Sequence, residues 1–316
     1  NTTGTANVAV GDSAGTAITT GENNTAIGYQ AMKSVTTTHG NTALGENALR
    51  DCTGTENTAI GSSAMYDGTG GTENVAIGND SLIVNAGDNN VAVGGDSMKA
   101  NTTGDENIGI GYEALKANTT AHENVAIGMQ ALATVTTSGN NTAVGRMALK
   151  LNTAAGNTAV GHQTMLNNST GTQNVAVGKN ALDSNTTADN NTAVGYDALQ
   201  ANSTGSDNVA IGNNALDAAT TASHNTAVGG ASLGALTTGT QNTALGRTAG
   251  DSITTGNYNL CVGYNTDTGA VGSDRRFVIG QDFVGTTNNA VHIGASGGHV
   301  RNDFLDDATW DQVSDV

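Results

Sequence analysis

The chain has 316 residues with 44 Gly, no Pro, one Trp and three Phe, and 28 acidic against 11 basic side chains give it a formal charge of −17. Bulky side chains for a wide core are missing, so a thin structure is expected in place of the two globular domains that length alone would suggest. The charge repels phosphate backbones and anionic lipid, and three copies would carry three times −17, or −51. No run nears the roughly 18 to 20 apolar residues of a bilayer span, so neither a nucleic-acid partner nor membrane insertion is expected. No leader precedes Asn1, as in a piece excised from a longer chain.

Low aromatic content and acidity would also suit a disordered polypeptide. Order in the sequence argues against that. From Asn7 to Gly263 the pattern N-[TV]-A-[VIL]-G returns every 17 residues, occasionally every 16, with glycines at Gly11, Gly28, Gly45, Gly61, Gly78, Gly94, Gly111, Gly128, Gly145 and onward to Gly263. A small residue followed by Leu or Met comes three to four residues after each glycine, as in Ala31-Met32, Ser97-Met98 and Ala181-Leu182, and a Thr pair such as Thr102-Thr103 marks the second half of most units. Such a period identifies one coil of a parallel β-solenoid, and the reading gives each coil two strands of about five residues and two turns.

Alternation then sorts the side chains. In Asn24-Thr25-Ala26-Ile27-Gly28, Thr25 and Ile27 face one way and Asn24 and Ala26 the other. The Ala column is expected to pack inside against the Leu/Met column, small opposite large. The column of Ile27, Leu44, Ile60 and Ile77 is then left outside, a stripe larger than a soluble monomer usually exposes. Rotationally equivalent copies bury such a stripe most simply, and a homotrimer is the expected partner arrangement. Hiding even ~30 Å² per coil at about 25 cal/mol per Å² is worth roughly 0.8 kcal/mol, or about 12 kcal/mol per chain, as an upper estimate. The Asn column is read as turn-forming, since Asn tolerates left-handed backbone, and the 16-residue units are read as losing a residue in the Thr/Gly turn.

Residues 264–300 read as an irregular β transition, with Phe277-Val278-Ile279-Gly280 and Val291-His292-Ile293-Gly294 still strand-like, and residues 301–316 as a tail. The predicted division is thus 1–263, a β-roll of about 16 repeats; 264–300; and 301–316.

With these residues laid out, the repeat resembles the head repeat of trimeric autotransporter adhesins of the YadA type, approximately N-S-V-A-I-G-x-x-[AS]. The units carrying Asn24, Ala26, Ile27 and Gly28, then Asn74, Ala76, Ile77 and Gly78, then Asn124, Ala126, Ile127 and Gly128 bear the match. The resemblance implies a left-handed, all-β parallel β-roll in a homotrimeric fibre. Units here are longer than the family period and Thr often replaces Val, so larger external turns are expected, and no basic stripe or collagen-binding signature carries over. The tail Trp310-Asp311-Gln312-Val313-Ser314-Asp315 resembles the junction of phage tail fibres and tail spikes before an endosialidase-type intramolecular chaperone. That resemblance implies cleavage after Ser314, before Asp315, by a domain not in this chain.

Candidate sites are few. His39, His122, His162, His224, His292 and His299 read mostly as solvated turn residues, none with an assignable nucleophile or base, and no enzyme activity or cofactor is expected. Glu56 and Glu73, and Glu106 and Glu123, stand on consecutive coils before the motif Asn; a hard cation such as Ca²⁺ could relieve their repulsion, but an exposed stripe is the preferred reading. Cys52 and Cys261, thirteen repeats apart, lie about 60 Å apart at ~4.8 Å per coil, too far to bridge, and read as inert thiols. Thr ladders raise a minor ice-binding alternative, although consecutive Thr side chains at a turn diverge. The N-x-[ST] sequons are incidental to a composition so rich in Asn and Thr. The expected role is a structural, receptor-binding phage tail fibre, extracellular on the virion, meeting a host glycan or surface protein; a bacterial cell-surface adhesin is the alternative.

Overall fold

A computed structural model describes residues 3–296, 298–303 and 311–313. The chain divides into two compact units, Asn1–Asn157 and Thr158–Val316. Each is an all-β parallel β-solenoid, and no helix occurs among the described residues. The first unit contains β1 (Val8–Val10), β2 (Thr25–Ile27), β3 (Thr42–Leu44), β4 (Thr58–Ile60), β5 (Val75–Ile77), β6 (Val91–Val93), β7 (Ile108–Ile110), β8 (Val125–Ile127) and β9 (Thr142–Val144). Neighbours in this series pair parallel, in a register that sets Ala26 on Ala43 and Ala59 on Ala76.

The second unit contains β10 (Thr158–Val160), β11 (Val175–Val177), β12 (Thr192–Val194), β13 (Val209–Ile211), β14 (Thr226–Val228), β15 (Thr243–Leu245) and β16 (Leu260–Val262), stacked likewise. After it come β17 (Thr266–Asp267), β18 (Arg276–Gln281), β19 (Phe283–Val284), β20 (Ala290–Ala295), β21 (Gly298–Asp303) and β22 (Asp311–Val313). The 17-residue register runs one coil past Gly263, because Leu260 pairs with Phe277 and Cys261 with Val278. The next coil is shorter, Arg276 pairing with Ala290, and β21 and β22 then turn antiparallel.

Each coil from β1 to β15 has one three-residue strand, not two of five. The stretch holding Ala31-Met32 or Ala48-Leu49 is a succession of turns, in which the Leu or Met and the residue two before it take left-handed backbone: Gln30 and Met32 at φ 54° and 50°, Asn47 and Leu49 at 57° and 49°. The sequence hid this because Leu and Met disfavour that region. Their burial offsets the strain: Met32, Leu49, Leu115 and Leu132 are fully enclosed, as are Ala26, Ala43 and Ala126 opposite them. The small-against-large core was correctly placed; the strand assigned to its large side was not.

The motif asparagines are not turn residues. None of Asn24, Asn74 and Asn124 is left-handed, and all three are buried. Each accepts on its side-chain oxygen the backbone N–H of the Asn one coil on: Asn41 N to Asn24 Oδ1 at 3.1 Å, Asn141 N to Asn124 Oδ1 at 3.0 Å. The same amide donates to the carbonyl that closes the coil, Asn24 Nδ2 to Thr38 O at 2.8 Å and Asn74 Nδ2 to Gly87 O at 2.9 Å. Sixteen-residue coils keep the ladder, as in Asn57 N to Asn41 Oδ1 at 2.9 Å. Left-handed backbone falls instead on the residue before the motif Asn, including Glu56, Glu73, Glu106 and Glu123.

A second inner column, seven residues after the motif glycine, stacks amides as well. Asn101 Nδ2 reaches Asn85 Oδ1 at 2.6 Å and Asn118 Nδ2 reaches Asn101 Oδ1 at 2.8 Å, all three buried. Where the column turns apolar at Val135, Asn118 Oδ1 has no donor among the described residues. The motif glycines stack too: Gly28 has φ +133°, and a Cβ there would lie 2.4 Å from Gly45 O, so no side chain fits.

The ladder makes each Asn indispensable to two coils. Asn124→Ala orphans the Asn141 N–H and removes one of the two amides on the Ser138 carbonyl, leaving it Asn141 Nδ2 at 3.3 Å. A loss of about 2–4 kcal/mol is expected in urea denaturation, against under ~0.5 kcal/mol for Ala at exposed Glu123.

Candidate functional site: the outward face of the coils

With Asn and Ala drawn inward, the alternate positions of each strand face out. Val10 is 57% exposed, Leu44 45% and Ile127 38% in the first unit, and Ile211 39% and Leu245 51% in the second. Companions two residues earlier are Thr or Val except for Ile108 and Leu260, and Val8 and Val175 among them are exposed. Parallel pairing sets these aliphatic groups directly above one another, about 4.8 Å per step. The structure therefore puts Ile27, Ile77 and Ile127 in one outward column, and Asn24, Asn74, Asn124, Ala26, Ala76, Ala126, Gly28, Gly78 and Gly128 in the framework behind it.

The turns carry a further ladder that sequence reading missed. Asp88 Oδ1 accepts from Thr72 N at 2.7 Å, Asp105 Oδ1 from Asp88 N at 2.8 Å, and His122 Nδ1 from Asp105 N at 3.0 Å. In the second unit Asp189 Oδ1 accepts from Thr172 N at 2.6 Å and Ser206 Oγ from Asp189 N at 3.1 Å. Scattered polar identities conceal the column, since Asp, Ser and His each supply only an acceptor. The first Thr of a pair is likewise committed to the next coil, Thr119 Oγ1 to Thr136 O at 3.0 Å.

Glu56, Glu73, Glu106 and Glu123 are exposed. Among the described residues no group of three His, Cys, Asp or Glu is placed to hold a metal. His122 and His224 sit in exposed turns, 3.3 Å and 3.7 Å from Asp105 and Asp207 carboxylates. His292 departs from the expected turn position: it occupies the core of β20, 1% exposed, with ring neighbours Phe283 at 6.3 Å and His299 at 5.7 Å. Arg276 takes the motif Asn place above Asn259, its N–H bonding Asn259 Oδ1 at 3.0 Å and its Nε Asn288 Oδ1 at 2.6 Å, and burial lowers its pKa. Trp310, Ser314 and Asp315 lie outside the described residues, so the junction has no structural account.

The chain matches no protein-family model and no curated protein.

Both cysteines are free and buried, Cys261 in the Ala column above Ala244 and Cys52 in the second inner column. Burial pushes their thiols up, Cys52 to about 11 and Cys261 to about 12 from an ordinary 9.0. At pH 8 iodoacetamide is expected to leave both untouched in native protein and to modify both in denaturant. The raised value sets the sign: the neutral thiols' stability is complete below pH 9 and is lost as pH climbs from 9 toward 11 and 12, where only the unfolded chain ionises at first. Cys52→Val with Cys261→Ala, matching Val35 and Ala244 in the same columns, is expected to flatten that part of the stability–pH curve.

Proposed function

We propose that this chain is a shaft segment of a homotrimeric, extracellular phage tail fibre that serves host attachment, with the outward aliphatic columns covered by sister chains. The carrying observation is that an aliphatic side chain holds the outward position coil after coil in each unit, more than a third exposed at Leu44, Ile77, Ile127, Ile211 and Leu245 and half-buried at Ile27, Ile60 and Val194. Left in water, such a stripe would aggregate or recruit a partner. Because every coil repeats the same surface, the surface most complementary to it is another copy in register, and a cyclic arrangement closes the assembly.

The attachment role rests on two likenesses: that of the repeat to YadA-type heads and that of the Trp310–Asp315 tail to phage fibre junctions. Fibres need stiffness and resistance to proteases, and the Asn ladders support both, since they fasten each coil to the next by side chain as well as by backbone. The YadA-type likeness taken alone favours the second reading, a bacterial cell-surface adhesin. On either reading the partners are sister chains and a host-surface glycan or protein.

Ile127→Asp tests the assembly. In a monomer a substitution at so exposed a position shifts stability by no more than ~0.5 kcal/mol. In a trimer it crowds three carboxylates around one axis. The expected result is a melting temperature at least several degrees lower and newly dependent on protein concentration, whereas Glu123→Lys leaves both unchanged. Equal, concentration-independent melting of Ile127→Asp and the parent would overturn the assembly. Binding of labelled protein to candidate host cells, lost in Ile127→Asp, tests attachment.

A further inference from the structure

The column immediately after the motif glycines has its own character in the second unit. His162, Lys179, Tyr196, Asn213, Gly230, Arg247 and Tyr264 follow one another there without an acidic residue, in a chain of charge −17. Lys179 Nζ lies 5.5 Å from the Tyr196 ring and Arg247 Cζ 5.9 Å from the Tyr264 ring, so each cation is held over an aromatic one coil on.

Gly230 interrupts this column for no structural reason. Its neighbour Gly229 has φ +136° and would clash at 2.4 Å with Gly246 O, but Gly230 is not left-handed and a Cβ on it would meet nothing nearer than Asn213 O at 3.8 Å. The next residue, Ala231, is also small where other coils place Asn180, Asp197 or Thr248. The missing step leaves a notch of about 230 Å³ lined by Asn213, Asn214, Gly230, Ala231 and Arg247. Asn213 and Arg247, two coils and thus ~10 Å apart along the stack, border the same space. That is room for about one sugar ring.

Its lining has a definite chemistry. Among the described residues Arg247 makes no ion pair; its side chain borders the notch, with Cγ 4.0 Å from where a Gly230 Cβ would lie, and its guanidinium rests over Tyr264. Asn213 Nδ2 donates to Asn214 Oδ1, and Asn214 Nδ2 donates to Asp217 Oδ2 at 3.0 Å. Asn214 thus engages the one carboxylate bonded to the lining, and the exposed Asn213 amide stands at the rim.

We propose that the notch binds a carboxylated monosaccharide unit of a glycan, its carboxylate on the Arg247 fork and a ring hydroxyl donating to Asn213 Oδ1. The site gives a ligand class to the attachment role and rests on that role only for its biological meaning, since one chain supplies every group. Gly95 is a built-in control: it occupies the same column in the first unit, between Asn79 and Tyr112, without a cation.

Ligand-observed NMR titration of the whole chain with D-glucuronate and D-glucose tests this. Glucuronate is expected to bind at least tenfold more tightly than glucose. Gly230→Val, which fills the notch, and Arg247→Gln are each expected to weaken glucuronate at least tenfold with melting unchanged, while Gly95→Val leaves binding intact. No glucuronate binding, equal binding of glucose, or undiminished binding by either variant would overturn the site. Molar mass recorded on the same sample separates the two readings: a trimer indifferent to glucuronate sinks the notch alone, and a monomer that binds it sinks the assembly alone.

Discussion

The structure depends on how little a 17-residue coil can enclose. Its lumen takes one Ala from the strand, one Leu or Met from the turn opposite, and the amide columns beside them. Nothing larger enters the repeat coils, and Arg276, Phe283 and His292 are buried only beyond them. A strand residue of the repeat that is not Ala-sized must therefore face out, which is why an aliphatic side chain stands on the outer face of coil after coil. A core so thin buries little apolar area per residue, so hydrogen bonding must align what packing cannot. The asparagine ladders supply that alignment, and they work because parallel in-register coils bring identical amides into repeating contact.

Period, glycine positions, the inward Ala column and the outward aliphatic column were legible because each is a strict periodic signal. The second strand was misjudged because Ala-Leu looks strand-compatible while its left-handed backbone is imposed by stacking, an energy no single coil reveals. Asn24 and its successors were assigned to turns on propensity, and burial overrode it: an amide that can accept from one coil and donate to another is worth more inside than at a corner. The step from Gly263 to Gly280 preserves 17 residues, yet the surrounding N-x-A signature is lost there, and Arg276 stands where Asn would be. His292 could not be placed from its type, since β20 seats it in the core beside Phe283.

Of the candidate site, the aliphatic column was visible in advance, whereas the notch was not. Seeing it required knowing that Gly229 is forced and Gly230 is free, a distinction of backbone angle and clearance between adjacent, identical residues. The general lesson for solenoids of this type is that framework positions are those every coil repeats, and specific chemistry is found where one coil departs from its column without a steric reason.

The claim that the outward columns are hidden by sister chains is tested most directly by the molar mass of the unmodified protein from light scattering at low micromolar concentration. Three chains of 31.4 kDa give about 94 kDa, and that mass, held on dilution, is the expected value. A folded species of 31.4 kDa, soluble and with intact β-structure, would contradict it.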